Sequence, residues 1–207
     1  AIQSGAILSV VFLYWKSLVF NFKAFKRIMT AFIPTAVIGL IFYKLVKNLL
    51  LGNDKIVLFS LFFGGIFLII FELLHYEKES AVDNISDISY KKAFIIGIFQ
   101  SIAIIPGVSR SAATIIGGLI LGLKRKTIVE FSFLLAVPTM LAAVGFDLVK
   151  SANTFSGEQF IFLITGFLTS FFVALLSIKF LLYFIKNHNF ISFGIYRIIL
   201  ALIFWLF

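Results

Sequence analysis

Long apolar runs alternate with short clusters of charge along this chain of 207 residues, and the charges never form a stripe on a polar face. A hydrocarbon core about 30 Å thick is crossed by a helix of roughly 20 apolar residues, with about 17 to 25 usual. Six segments approach that length: Ile2 to Trp15, which falls short of it, Ile28 to Tyr43, Ile56 to Leu74, Thr127 to Val149, Phe160 to Phe184 and Phe190 to Phe207. The longest polar stretch, Tyr76 to Lys92, separates the first three from the rest. No stretch reads as a linker, so residues 1–207 are predicted to form a single integral membrane domain.

The region from Ala93 to Leu123 breaks the pattern. Two apolar runs of 13 and 12 residues, AFIIGIFQSIAII and AATIIGGLILGL, flank Pro106-Gly107-Val108-Ser109-Arg110-Ser111. At about 1.5 Å per residue, such runs span little more than half the hydrocarbon thickness. Lys91 and Lys92 precede the first run and Lys124 to Lys126 follow the second, so both ends belong on one side. The prediction is a re-entrant helical hairpin over 93–123, its tip near the midplane, where non-helical backbone needs protein or a watery cavity around it. Three spans precede this hairpin and three follow it. A repeated unit of hairpin plus three spans is inverted in its second copy. Residues 1–92 then form an incomplete first repeat and 93–207 the second. The chain opens at Ala1 without an initiator Met or the marks of a signal peptide, and it reads as a segment cut from a longer protein. The first hairpin is therefore expected upstream of Ala1. The fold class predicted is all-α: a polytopic membrane protein with six spanning helices plus one re-entrant hairpin.

Composition sharpens this. A content of 61% hydrophobic and 13% charged residues excludes an ordinary water-soluble domain. The net charge of +9 could suggest nucleic acid, but its clustering between apolar runs points to anionic lipid headgroups instead. Lys16, Lys23, Lys26, Arg27, Lys78, Lys91, Lys92, Lys124, Arg125, Lys126, Lys179 and Lys186 fall in one group of turns, against Lys44, Lys47, Lys55 and Lys150 in the other. Twelve against four places the first group in the cytoplasm and both ends of the chain outside. The absence of cysteine removes thiolate chemistry and cysteine metal sites, and two histidines leave few acid–base options. The 28 phenylalanines read as lipid-facing and packing bulk.

Arg110 carries the chemistry. An arginine at mid-bilayer costs about 2.5 to 3.5 kcal/mol on insertion scales, so it needs an anionic partner. Pro106 and Gly107 end the first helix, glycine because it tolerates φ > 0, and Ser109 or Ser111 suits the N-cap of the second. The free N–H groups and positive end of that helix then share one point with the guanidinium. The sum is an anion site suited to phosphate, with Arg110 as a bidentate fork and serine hydroxyls as further donors. The alternative is an arginine paired to an internal carboxylate merely to fix packing.

The segment GIFQSIAIIPGVSRSAATIIGGLILGLKRKTIVEFSFLLAVPTML resembles the bacterial undecaprenyl-diphosphatase family, also called bacitracin-resistance proteins, whose second signature reads P-G-x-S-R-S-x-x-T. Here it is Pro106, Gly107, Ser109, Arg110, Ser111 and Thr114, and IQSGAILSVVFLYWK and GIYRIILAL extend the similarity over nearly the whole chain. Ala112 stands where many members have Gly. The resemblance implies a membrane phosphatase that hydrolyses undecaprenyl diphosphate to undecaprenyl phosphate and inorganic phosphate, recycling the lipid carrier for cell-wall synthesis. It implies a multi-pass protein of the bacterial plasma (inner) membrane. The partners implied are the polyprenyl diphosphate and membrane lipids, with a homodimer as an option and no nucleic acid. Arg110, Ser109 and Ser111 are the catalytic candidates; Pro106, Gly107 and Thr114 are the substrate-binding ones, Thr114 supporting the hairpin from the next turn. The family's first signature, an acidic pair followed by Ser-Ser and Gly-His, is absent from this chain. A divalent cation, Mg or Ca, would find its ligands there, and the segment alone is expected to be inactive. The competing function is a polyprenyl-phosphate transporter or flippase using the same clamp.

Other polar residues carry weaker expectations. Glu72 and His75 share a helix face and read as a solvated helix end rather than half a metal site. Glu130 pairs either with Arg110 or with Lys126 at i,i+4. Asp147, near Lys150, reads as interfacial. Arg197 snorkels or forms a helix–helix ion pair rather than contacting substrate. Gln100 is expected to hydrogen-bond a neighbouring helix.

Overall fold

The computed structural model describes residues 2–19, 21–50, 52–77, 80–151, 160–185 and 188–206, of which 16–19, 47, 49, 146–151 and 160 are described as backbone only. Lys78 and Lys186 of the charge pattern therefore lie outside the described residues, as do the side chains of Lys16, Lys47, Asp147 and Lys150.

Eight α-helices follow one another among the described residues: α1 (Ile2–Val19), α2 (Phe22–Leu45), α3 (Asp54–Leu74), α4 (Tyr90–Ser101), α5 (Arg110–Ile120), α6 (Arg125–Ser151), α7 (Phe160–Phe184) and α8 (Ile191–Leu206). Within them Phe22–Leu45, Asp54–Leu74, Arg125–Gly145 and Ile161–Phe184 are long and apolar enough to cross a bilayer, while Ile2–Trp15 and Ile191–Leu206 are apolar but shorter. The protein is thus an all-α polytopic membrane protein, with four helices of full spanning length where the sequence suggested six spans.

Local chemistry sets the helix starts. α2 begins six residues before the apolar run because Asn21 caps it, its Oδ1 accepting from the Ala24 amide at 3.0 Å. Ser89 caps α4 by accepting from the Lys92 amide at 3.3 Å, so that helix starts at Tyr90 rather than Ala93. A turn of 3-10 helix, Ile102–Ile104, ends α4, and α5 returns beside it. The base of this helix pair is tied by backbone hydrogen bonds from Val82 N–H to Gly122 O (3.0 Å) and from Lys124 N–H to Val82 O (2.9 Å).

α3 lies along α8, α1 along α7, and α2 against α4, while α6 touches α1, α2 and α5. Small residues permit these approaches, as expected where lipid supplies no hydrophobic drive between helices. A Cβ on Gly97 would collide with the Ala31 carbonyl of α2. Gly65 and Gly194 let α3 and α8 touch backbone to backbone: a Cβ on Gly65 would sit 2.7 Å from Gly194 O, and one on Gly194 2.8 Å from Gly65 O. The larger core cluster, including Ile28, Ile96, Ile115, Leu119, Phe131 and Leu134, packs α4 and α5 against α2 and α6.

Candidate functional site

Pro106 to Ser111 form the turn between α4 and α5. Gly107 adopts φ +86°, the left-handed conformation that favours glycine, and its Cα face presses on α3, where a Cβ would lie 2.5 Å from Val57 O. Two residues later Ser109 caps α5, its Oγ accepting from the Ala112 amide at 3.2 Å. Ser111 Oγ lies 3.2 Å from Ser109 Oγ. With Ala113 N–H bonded to Ser109 O and Ala112 N–H to the cap, the Arg110 and Ser111 amides are the first-turn donors without an intrahelical acceptor.

The half-buried Arg110 side chain crosses to α6. Its Nη1 donates to Thr139 Oγ1 at 3.2 Å and its Nη2 points at Met140 Sδ at 3.5 Å. Among the described residues the ion pairs are Lys124–Asp83 and Glu72–Arg125, so no carboxylate holds Arg110. Among the described residues, then, no internal acid accounts for this arginine. Arg110 instead lines a cavity of about 310 Å³ between α1, α6 and α7, with Ile7, Val10, Val137 and Ile178 among its walls.

The serines open elsewhere. Ser109 and Ser111 line a second cavity of about 260 Å³, between α5, α6 and α8, whose other walls include Leu68, Phe190, Phe193 and Arg197. Phe133 borders both cavities. The structure thus brings the two hydroxyls together and sends the guanidinium to the opposite side of the first turn, so the donors flank the N-terminus of α5 rather than share one cavity.

Thr114 is fully buried inside the helix pair (0% exposed). Its Oγ1 lies 2.9 Å from Arg110 O and 3.2 Å from Gln100 Oε1, and Gln100 (2% exposed) donates to Thr35 Oγ1 of α2 at 3.3 Å. Thr35 in turn donates to Gly97 O at 2.8 Å. Gln100 does bond a neighbouring helix, as expected, and Thr114 braces the start of α5 from within.

Three sequence expectations change. Glu72 is no solvated helix end: its side chain is 4% exposed and its Oε1 pairs with Arg125 Nη2 at 2.6 Å, across 53 positions of sequence that local reading does not bridge. His75 stacks on Phe71. Glu130 joins neither Arg110 nor Lys126 in an ion pair. Arg197 makes no ion pair among the described residues; its Nη2 donates to the carbonyls of Gly107 (2.9 Å) and Ser60 (3.2 Å), which makes it the residue of the turn that sequence reasoning missed. The available signal was the pairing of Gly64-Gly65 with Gly194 in two apolar helices.

Among the described residues no group of three or more His, Asp or Glu converges. The donors around the turn are guanidinium, hydroxyl and amide, whereas the divalent cation implied by the resemblance is expected to take its ligands from the first signature, so no step is routed through one here. The donors at the turn fit an anion with several oxygens.

The protein-family model described as bacitracin resistance protein BacA matches residues 1–203. An undecaprenyl-diphosphatase of Aquifex aeolicus is 50% identical over 99% of this chain and 79% of its own length. Undecaprenyl-diphosphatases of Sulfurihydrogenibium sp. and Persephonella marina are 52% and 53% identical over 100% of this chain and 81% of theirs.

Proposed function

This chain belongs to the bacitracin resistance protein BacA family, and from that premise we propose how its helix pair serves the family's chemistry. The activity is that of a membrane undecaprenyl-diphosphatase, which hydrolyses undecaprenyl diphosphate to undecaprenyl phosphate and inorganic phosphate for cell-wall synthesis. The relatives give no support to a transporter.

Phosphoryl transfer depends chiefly on positioning and on neutralising the oxygens around phosphorus. In the proposed arrangement the diphosphate sits over the first turn of α5. Arg110 turns from Thr139 to clamp it, the Arg110 and Ser111 amides donate to its oxygens, and the Ser109 and Ser111 hydroxyls add further donors. Water attacks the terminal phosphorus, the anhydride P–O bond breaks, and undecaprenyl phosphate leaves with the bridging oxygen. Among the described residues no carboxylate or imidazole lines the cavities at the turn, so the helix pair binds and neutralises and another group activates the water. The apolar walls of both cavities suit the prenyl chain next to the headgroup.

The observation that carries this reading is Arg110, a guanidinium with no carboxylate partner among the described residues, beside a cavity among apolar helices. In the proposed topology α4 and α5 form a re-entrant hairpin of a multi-pass inner-membrane protein, with α1 and α8 completing six spans. Residues 1–92 and 93–207 are proposed as inverted repeats, and the reciprocal Gly65–Gly194 contact supports this, because a two-fold relation brings equivalent positions of α3 and α8 onto each other. The test is phosphate release from undecaprenyl diphosphate by the full-length protein in detergent. Arg110→Ala should lower the rate by about 100-fold or more, the scale of a lost preorganised donor, at unchanged membrane yield; near-parental turnover would overturn the reading.

A further inference from the structure

A second guanidinium reaches the same turn from behind. Arg197 lies in an apolar helix, seven residues into α8, and its Nη2 alone donates to both Gly107 O and Ser60 O. Its Nε is buried with no partner, so the side chain is not placed where its own donors are best satisfied. A half-buried cation with no carboxylate among the described residues is a poor way to stabilise helix packing, where an apolar side chain of similar volume serves as well or better. The surroundings are cut to admit it. Gly64 leaves the space the guanidinium occupies, since a Cβ there would stand 2.9 Å from Nη2, and the Gly65–Gly194 contact brings α8 close enough to α3 for the reach.

We infer that Arg197 is a positioning residue for the phosphatase site, acting through the Gly107 carbonyl. That carbonyl belongs to the residue whose left-handed φ turns the chain into α5. Fixing its orientation fixes the next peptide plane, then the Ser109 cap, and with it the direction of the Arg110 and Ser111 amides. Arg197 also lines the cavity that holds Ser109 and Ser111, so its charge raises the potential on the side of the turn away from Arg110. This inference rests on the reading that the turn binds the diphosphate.

The test uses the full-length protein and undecaprenyl diphosphate. Arg197→Met keeps the stem's packing and removes the donors; kcat should fall about tenfold or more while KM stays within about threefold, because alignment is lost and the Arg110 contact is not. Since one nitrogen makes both hydrogen bonds, the ammonium of Arg197→Lys should restore most of kcat. Gly64→Ala, which displaces the guanidinium without deleting it, should act in the same direction, and Gly64→Ala with Arg197→Met should be no slower than Arg197→Met alone. If Arg197→Met does not accumulate in membranes, Gly64→Ala and Arg197→Lys decide the matter by the same criteria. Parental kcat in Arg197→Met or Gly64→Ala, or losses that multiply in the double variant, would overturn the inference. Arg110→Ala run in parallel separates the two claims. If it stays active, the site reading falls and this inference with it; if it is inactive while Arg197→Met is unaffected, only the role of Arg197 falls.

Discussion

Replacing Gly107 by alanine changes two things at once, and the structure allows them to be separated. The residue sits at φ +86°, where an L side chain costs about 1–2 kcal/mol. A Cβ would also lie 2.5 Å from Val57 O and 2.9 Å from Val57 Cα and Ser60 Cβ, and two of those three atoms are backbone that cannot swing aside. Overpacking of that kind costs about 1–3 kcal/mol more, for a sum of about 2–5 kcal/mol. Gly122 is the internal control: φ is +75° but nothing lies within 4 Å of its would-be Cβ, so only the conformational cost applies. On the usual scale for a chain of this size, Gly122→Ala should lower Tm by about 2–8 °C and Gly107→Ala by about 4–20 °C. The functional contrast is sharper. Relief of the Val57 contact moves the turn and hence the start of α5, and displacements approaching 1 Å at a reacting centre can cost about 100-fold. Thermal unfolding in detergent, followed by phosphate release at saturating substrate, measures both. Gly107→Ala should lose at least about tenfold in kcat, with Gly122→Ala near parental. Equal Tm losses in the two variants, with kcat retained in both, would refute the reasoning.

Two further perturbations probe the supports. Glu72→Gln leaves Arg125 without its buried counter-charge and should destabilise by about 3–5 kcal/mol, whereas Glu72→Leu combined with Arg125→Met should recover much of that loss; melting temperatures of the three proteins check it. Gln100→Leu removes the link between Thr35 and Thr114 and should cost about 1–3 kcal/mol in thermal unfolding, because the buried Thr114 hydroxyl and the half-buried Thr35 hydroxyl each lose a partner.

Features decided within a few residues were legible in the sequence. The Pro-Gly turn, the positive φ at Gly107 and the serine cap are local consequences of residue type, and the broken apolar run disclosed two short helices. Helix starts moved because Asn21 and Ser89 cap further out than hydropathy alone suggests. What stayed hidden depends on which helices meet. Arg197 lies 90 residues from the carbonyl it holds and Glu72 lies 53 from its guanidinium, so each looked like a lone charge near an apolar run. The separation of Arg110 from the two serines was equally invisible, since consecutive residues on a first turn project to different sides, a matter of backbone direction rather than composition.

Capture of the diphosphate by Arg110 is tested most directly by equilibrium binding of a methylene-bridged, non-hydrolysable polyprenyl diphosphate, with the matching polyprenyl alcohol as the uncharged control. Loss of charge-assisted hydrogen bonds worth about 1.5–3 kcal/mol should weaken the diphosphate roughly 10- to 150-fold in Arg110→Met. The alcohol should bind both proteins alike. Equal diphosphate affinity in the parent and in Arg110→Met would contradict phosphate capture at this arginine.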